Sequence, residues 1–169
     1  MEAAGRIKVV NGLPLDPIDR KILALLQDDA KIPQAKIARS VGLTAPSVNE
    51  RIRKLERAGY IRGYVAVLDP KRLGQDVTAF VEVFIEQPKF EAGFIEAVSH
   101  LDEVLECHHI TGEFSLLLKV RVADMAAFRR LLIEKLNTVR GVRQTRTLIV
   151  LATAKEHHRI KLDEAVAVD

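Results

Sequence analysis

The chain has 169 residues, of which 48% are hydrophobic and 29% charged, and its formal net charge is +3. This composition is typical of a folded globular protein with one medium domain or two small ones. The single cysteine, Cys107, excludes an intrachain disulfide and agrees with a reducing cytoplasm. No apolar run approaches the roughly 20 residues that span a bilayer, and residues 1–12 lack the apolar core of a secretion signal. We therefore expect a cytoplasmic protein without a membrane partner.

The first predicted helix follows an N-terminal extension. Residues 1–13 contain the turn-forming pair Asn11-Gly12 and are expected to be a flexible extension. Asp16 before Pro17 is typical of a helix N-terminus, because the carboxylate accepts a bond from the first turn and proline needs no partner there. Apolar residues then recur at helical spacing and predict a helix over about 17–28.

Two short helices follow, over about 33–40 and 44–58, on either side of a turn at Gly42. Glycine adopts the left-handed conformation that ends a helix without strain. Thr44 is the expected N-cap of the second helix, and Pro46 fits its first turn. The three helices predict a small core, and the pair around Gly42 is typical of a helix-turn-helix.

The second helix of the pair has an apolar side and a polar side. Its apolar residues recur at i, i+4 and i+7, namely Val48, Ile52 and Leu55. On the polar side, the residues predicted to lie near DNA bases or adjacent phosphates are Thr44, Ser47, Glu50, Arg51 and Lys54. The cations predicted to contact phosphates are Lys36, Arg39, Arg53, Arg57 and Arg62. A helix with this division suits docking in the major groove.

Charge favours DNA over the other interpretations of such a helix pair, which are a solvated face or a protein–protein module. Residues 31–62 contain eight Lys/Arg and two acidic residues, a net charge of +6. Residues 69–169 contain fourteen basic and sixteen acidic residues, a net charge of −2. A basic patch confined to the helix pair is what neutralisation of DNA phosphates requires. Glu50 has two possible roles, to accept from a cytosine amino group or to orient a neighbouring cation.

An extended segment connects this region to the rest of the chain. Residues 60–68 are extended in pattern and contain Gly63, which predicts a β-arm, the wing of a winged helix. Asp69-Pro70 follows as a linker. We therefore place a DNA-binding domain at 14–62 and the β-arm and linker at 63–74.

The second domain, expected over 75–155, alternates strand and helix patterns. The predicted strands are 77–86, 104–111, 114–122 and 142–153, and the predicted helices are 90–100 and 124–137. The order βαββαβ predicts a ferredoxin-like arrangement, so the fold class of the whole chain is α+β. Residues 149–151 are too apolar for a half-exposed strand, which predicts a homodimer through the sheet faces. Residues 156–169 form the predicted C-terminal tail.

Other kinds of site have little support in the sequence. In a strand, Cys107 and His109 share a face and His108 points away, so at most two of them could bind one metal ion. No motif supplies the remaining ligands, and we expect no metal and no cofactor. Known catalytic motifs such as the P-loop, GxGxxG and GxSxG are also missing from the sequence.

The two domains together resemble the Lrp/AsnC family of transcription regulators over about residues 14–155. The matching motifs are Leu15-Asp16, Asp19-Arg20, Ser40-Val41-Gly42-Leu43, Glu50 to Glu56, Gly59 to Tyr64, Glu106-Cys107-His108, Thr111-Gly112-Glu113-Phe114, Leu117 to Val120 and Thr145-Arg146-Thr147. The resemblance implies regulators that bind pseudo-palindromic DNA as homodimers and often assemble into larger oligomers such as octamers. It also implies a small effector, frequently an amino acid, at contacts between dimers.

The resemblance places the effector site on the turn between the second and third strands and on the last strand. The corresponding residues are Thr111, Gly112, Glu113, Ser115, Thr145 and Thr147. Many amino-acid-sensing members carry an acid at the position of Ser115 and aspartate at that of Glu113. Two alternatives to a DNA-binding regulator stay open: an enzyme on the same scaffold, similar to the sirohaem decarboxylases, and an amino-acid-binding module without DNA binding.

Overall fold

A computed structural model describes residues 15–162, so the predicted extension over 1–13 lies outside the described residues. The chain divides into two compact units. The first comprises the described residues up to Ala66 together with those from His157 onward, and the second comprises Val67–Glu156. The described part of the tail, which the sequence set apart, is therefore assigned to the first unit.

Three helices build the first unit: α1 (Pro17–Asp28), α2 (Gln34–Val41) and α3 (Ala45–Arg57). Asp16 caps α1, because its Oδ1 accepts from the Asp19 amide at 2.7 Å and the Asp19 carboxylate accepts from the Asp16 amide in return. Ile22, Ile37 and Val48, one from each helix, are completely buried. The three predicted helices are confirmed, and so is the apolar side of α3, where Val48, Ile52 and Leu55 are buried.

The turn between α2 and α3 also has the predicted chemistry. Gly42 lies at φ 69° and ψ 32°, in the left-handed region, and its amide donates to the carbonyl of Ala38. Thr44 caps α3 by accepting from the Ser47 amide at 3.4 Å, and Pro46 lies in the first turn. This turn fixes where α3 begins and hence which of its sides meets the core.

The predicted β-arm forms no regular strand in the single chain. Residues 61–69 belong to neither a helix nor a strand. The regular elements in the described part of the first unit are helices, so this part offers no neighbouring strand to complete a backbone ladder. Val65 and Val67 in this segment are 82% and 81% exposed.

The second unit is an antiparallel sheet with helices on one face. Its elements are β1 (Val77–Ile85), α4 (Glu91–Ser99), β2 (Val104–His109), β3 (Leu116–Val122), α5 (Met125–Arg130) and β4 (Val142–Ile149). The strand order is β2-β3-β1-β4, which confirms the predicted βαββαβ arrangement. Alternate residues of β1 and β3, among them Val81, Val83 and Leu118, are buried against α4 and α5.

Two elements of the second unit differ from their predicted extents. Residues Leu131–Leu136 continue α5 as a π-helix, in which the Asn137 amide donates to the Leu132 carbonyl five residues back. An apolar spacing of three and four residues does not distinguish this winding from an α-helix. The last strand ends at Ile149, short of residue 153, and the Val150 amide makes one further hydrogen bond to the Thr78 carbonyl of β1 at 3.0 Å.

No helix among residues 15–162 is long and apolar enough to cross a membrane.

We expect Gly141→Ala to destabilise the second unit by about 2–4 kcal/mol. Gly141 lies at φ 93°, and an added Cβ would meet the Phe90 side chain at 2.4 Å. The matched control is Gly93→Ala in α4, where a Cβ meets nothing within 4 Å, and which should stabilise by about 0.5–1 kcal/mol. Calorimetric unfolding of both variants measures the difference. Equal stability of the two would contradict the close contact with Phe90.

Candidate nucleic-acid interface and effector site

The outward side of α3 is polar and exposed. Val48, Ile52 and Leu55 form the buried side of α3. At 100° per residue, Glu50 and Arg57 lie on the opposite side of the helix, with Arg53 and Lys54 next to them. All four side chains are exposed. Glu50 and Lys54 form an ion pair at 3.2 Å, one turn apart. Within the described residues, this exposed polar side of the helix has the character that docking in a DNA groove requires.

Arg51 points elsewhere. Its Nη1 lies 2.6 Å from Asp16 Oδ2 and 2.7 Å from Asp19 Oδ1, so the guanidinium joins α3 to the first turn of α1. Burial works to raise the pKa of the Asp16 carboxyl, but bonds from the Asp19 amide and from Arg51 outweigh it, and the pKa is lowered. The two hydrogen bonds that Arg51 donates to Asp19 and Asp16 raise the pKa of its guanidinium. The structure thus places this predicted base-contacting residue in a bridge between helices.

A shallow cleft of about 400 Å³ lies beside this bridge. Its polar lining comes from Asp19, Ser47, Glu50, Arg51 and Lys54. The structure therefore brings the predicted stripe Ser47–Glu50–Arg51–Lys54 together in one concave surface, with α1 forming one wall. At the N-terminal end of α3, the hydroxyls of Thr44 and Ser47 are 2.9 Å apart.

The five cations predicted to contact phosphates share one property. Each is exposed, and none forms an ion pair within residues 15–162; they are Lys36, Arg39, Arg53, Arg57 and Arg62. Their charge is not neutralised by carboxylates of the described chain. Such cations are the ones that can release counterions from a phosphate backbone.

We expect Arg51→Met to destabilise the first unit by about 1–2 kcal/mol, because it leaves two partly buried carboxylates without their cation. The pKa of Asp16 is lowered in the folded state. Its contribution is therefore complete above its unfolded pKa of about 3.9 and is lost as the pH falls through the folded value.

Urea unfolding of Arg51→Met between pH 7 and pH 2.5 measures both effects. The control is Arg53→Met, on the same helix without an ion partner among the described residues, which should stay within about 0.5 kcal/mol of the parent. An Arg51→Met protein as stable as the control would show that the bridge does not contribute.

The turn predicted to bind an effector is held by the sheet. The Ser115 amide donates to the Val83 carbonyl at 3.1 Å, and the Ile110 amide donates to the Ser115 carbonyl at 3.0 Å. Between them Gly112 lies at φ 121°, a conformation that other residues rarely adopt. The turn is therefore positioned by β1, while Thr111, Gly112 and Glu113 stay exposed.

The structure separates the turn from the two predicted threonines. Thr145 and Thr147 pair with Val83 and Val81, whose side chains are buried on the helix side of the sheet. The Thr145 hydroxyl donates to Asn137 Oδ1 at 3.3 Å, at the end of the π-helix. The predicted effector residues of one chain therefore fall into two groups, one on the turn and one on the helix side of β4.

Two residues near these groups were missed by sequence reasoning. Arg146 is paired with Glu82, which raises its pKa, and the charge of Glu113 adds to this effect. Its guanidinium also covers the Phe114 ring, 4.8 Å from the ring centre, on the face opposite to Thr145. Asn137 is the second. The position of Arg146 between the two threonines in the sequence could have identified it as a site residue. The position of Asn137 beside Thr145 is set by the π-helix, which the sequence pattern did not predict.

The Cys-His-His segment of β2 lies across both faces of the sheet. Cys107 is packed against the core, and this burial raises the pKa of its thiol. His108 Nε2 is 3.0 Å from Glu106 Oε2 on the other face. Among residues 15–162 there is no group of three or more His, Cys, Asp or Glu side chains placed to hold a metal ion.

Comparison with known proteins assigns both units. Residues 15–62 match the winged helix-turn-helix DNA-binding domain, and residues 78–160 match the Lrp/AsnC ligand binding domain. The leucine-responsive regulatory proteins of Klebsiella pneumoniae and Escherichia coli K12 are each 42% identical over 88% of this chain and 92% of their own. The chain belongs to the Lrp/AsnC family. Like these relatives, it is a transcription regulator with an N-terminal DNA-binding domain and a C-terminal ligand-binding domain.

Solved structures of Lrp/AsnC proteins superpose on most of the chain, across both units. Escherichia coli AsnC has a TM-score of 0.82 at 31% identity, covering 87% of this chain and 99% of its own. A transcriptional regulator of Neisseria meningitidis in complex with L-Met has a TM-score of 0.85 at 30% identity, covering 89% and 98%. A feast or famine regulatory protein of Mycobacterium tuberculosis complexed with L-methionine has a TM-score of 0.81 at 33% identity, covering 87% and 99%.

Proposed function

We propose that this Lrp/AsnC protein binds a specific DNA sequence through the outward side of α3 and that an amino acid controls this binding. The carrying observation is the set of five exposed cations on and around α2 and α3 that have no carboxylate partner within the described residues. A DNA-binding regulator of this kind acts in the cytoplasm, where bacterial DNA lies.

The contacts divide by the position of each side chain on α3. Ser47, Glu50 and Lys54 line the cleft and are proposed to face base edges, where Lys54 would donate to a guanine and Glu50 would accept from a cytosine. Arg53 and Arg57 are proposed to contact phosphates on the outward side. Arg51 acts through Asp16 and Asp19 as a positioning residue that sets the angle of α3.

We infer that two copies of the chain pair through the sheet. Leu148 and Ile149 at the end of β4 are 49% and 40% exposed in the single chain, and Leu151 after it is 96% exposed. Leu148 and Ile149 point to opposite faces of the sheet, so each face exposes a large apolar residue at this edge, as is typical of an interface between subunits. Such a homodimer presents two DNA-binding domains, so we expect a pseudo-palindromic site with half-sites one or more helical turns apart.

We infer that the effector is an amino acid with an apolar side chain. Two structural neighbours hold L-methionine, and two relatives are leucine-responsive. In this chain Gly112 exposes its amide to an incoming carboxylate, and Glu113 supplies a negative charge for an α-ammonium group. Thr145 and Asn137 offer a hydroxyl and an amide in the second group of polar side chains. The site is proposed to be completed where subunits meet.

We expect Arg53→Ala and Arg57→Ala to weaken binding to specific and random duplex DNA by similar factors. Each lost phosphate contact should lower the slope of log K against log [salt] by about 0.9. The matched control is Arg129→Ala, which removes an exposed arginine of α5 and should change affinity less than about twofold. Fluorescence anisotropy titrations at several salt concentrations measure these values. Salt slopes that match that of Arg129→Ala would exclude the outward side of α3 as the phosphate contact.

We expect L-methionine or L-leucine, but not the D-enantiomers, to raise the unfolding temperature of the protein. Glu113→Gln should weaken this ligand about tenfold, since it removes the charge opposite the ammonium group. Ser115→Asp should strengthen it, because it adds a second acid to the turn. Glu86→Gln, an exposed glutamate outside the turn, is the control.

The same preparations test the alternatives. An unfolding temperature that no amino acid changes would argue against the effector role, and a ligand response without any DNA binding would leave only an amino-acid-binding module. A change in the absorbance of added sirohaem would instead favour the enzyme.

A further inference from the structure

The C-terminal segment from His157 to Leu162 returns to the first unit and contacts the end of α1. Gln27 makes the central contact: its Nε2 donates to the Ile160 carbonyl at 3.1 Å, and its Oε1 accepts from the Ile160 amide at 2.7 Å. One side-chain amide thus pairs with both main-chain groups of one residue. This is the hydrogen-bonding pattern by which a neighbouring strand binds an extended segment.

Two side chains of the segment add specific contacts on either side of Ile160. Arg159 Nη1 lies 2.8 Å from Asp28 Oδ1, next to Gln27. Leu162 packs against the apolar core formed by the three helices. The Ile160 side chain, by contrast, is 71% exposed. The segment is therefore held by its backbone, by one charge and by one apolar anchor.

The position of this segment in the chain gives the contact a consequence. The second unit begins at Val67 and ends at Glu156, so the chain leaves the first unit and then returns to it. The first connection passes through an exposed segment without regular strands. Docking of the segment after Glu156 attaches the other end of the second unit to the first unit as well.

We propose that the end of α1 is a docking site for the chain's own segment Arg159–Leu162, and that this docked segment is a releasable second tether between the ligand-binding and DNA-binding domains. The names of the domains rest on their family assignment, but docking can be tested without DNA or an effector. The contacts lie at the surface, so the segment opens and closes without unfolding either unit.

Limited digestion of the full-length protein with trypsin tests docking. Cleavage after Lys161 requires the segment to leave α1, so its rate follows the open fraction while closing is faster than cleavage. Gln27→Ala should accelerate this cleavage about tenfold, because it removes both hydrogen bonds. Alanine is also a better helix former than glutamine, so the change does not weaken α1 itself. Gln75→Ala, in the second unit, is the control. A parent protein cleaved as fast as Gln27→Ala would overturn docking.

Paired variants test the two side-chain contacts. Leu162→Ala should accelerate cleavage several-fold, whereas Ile160→Ala, which removes an exposed side chain, should leave the rate within about twofold. Asp28→Arg and Arg159→Asp should each accelerate cleavage after Lys161, and the double variant should restore the parent rate. Equal effects of Leu162→Ala and Ile160→Ala, together with a double variant that stays fast, would show that the segment is not docked as described.

The tether is tested by the rotation of the DNA-binding domain. A fluorophore on α2, introduced by Ser40→Cys in a Cys107→Ser protein, reports this rotation through anisotropy decay. Gln27→Ala should shorten the correlation time of the label relative to the same labelled protein without this change. An unchanged correlation time, in a variant whose segment trypsin shows to be released, would overturn the tether. Protection from trypsin that falls on dilution would place the segment on a second copy and overturn the own-chain assignment.

Discussion

The geometry of the DNA-binding domain depends on one cation held between two carboxylates. Asp16 caps α1 and also accepts from Arg51, so the residue that starts the first helix also fixes the third. Asp19 completes the capping box and binds the same guanidinium. Because the bridge lies at the edge of the helical core, apolar burial sets the distance between α1 and α3 while the bridge restricts rotation of α3 about its own axis.

This restriction determines which cations of α3 remain for DNA. A rotation of the helix about its axis would change which arginine points outward, because Arg51 lies about 160° from Arg53 and about 120° from Arg57 around the axis. With Arg51 paired, the outward side carries Arg53 and Arg57, which have no ion partner in the described chain. The cations of α3 thus include one that is paired within the domain and two that have no ion partner in the described chain and are proposed to contact phosphates.

Local patterns predicted most of the fold, and contacts between distant residues account for what they missed. Helical and strand periodicities gave the three helices and the order βαββαβ, and Gly42 and Thr44 gave the turn between α2 and α3. Arg51 was assigned to DNA because its partners are 32 and 35 residues away, beyond any local pattern. The arm forms no strand in the single chain for a similar reason, since a strand requires a partner and the described residues of the first unit are helical or irregular.

At the predicted effector site, the sequence did not show which face of the sheet the turn before β3 covers. Strand alternation alone separates Thr145 and Thr147 from Arg146, but it does not show that the turn before β3 covers the same face as Arg146. Phe114 is only 4% exposed, yet it does not belong to the core between the sheet and the helices. It therefore anchors the turn on the opposite face of the sheet, under Arg146. A ligand held by both groups must therefore reach around the end of the sheet or meet them from two different subunits. The second solution agrees with an effector that acts on assembly, because binding energy gained only when subunits meet shifts the population towards the assembled state.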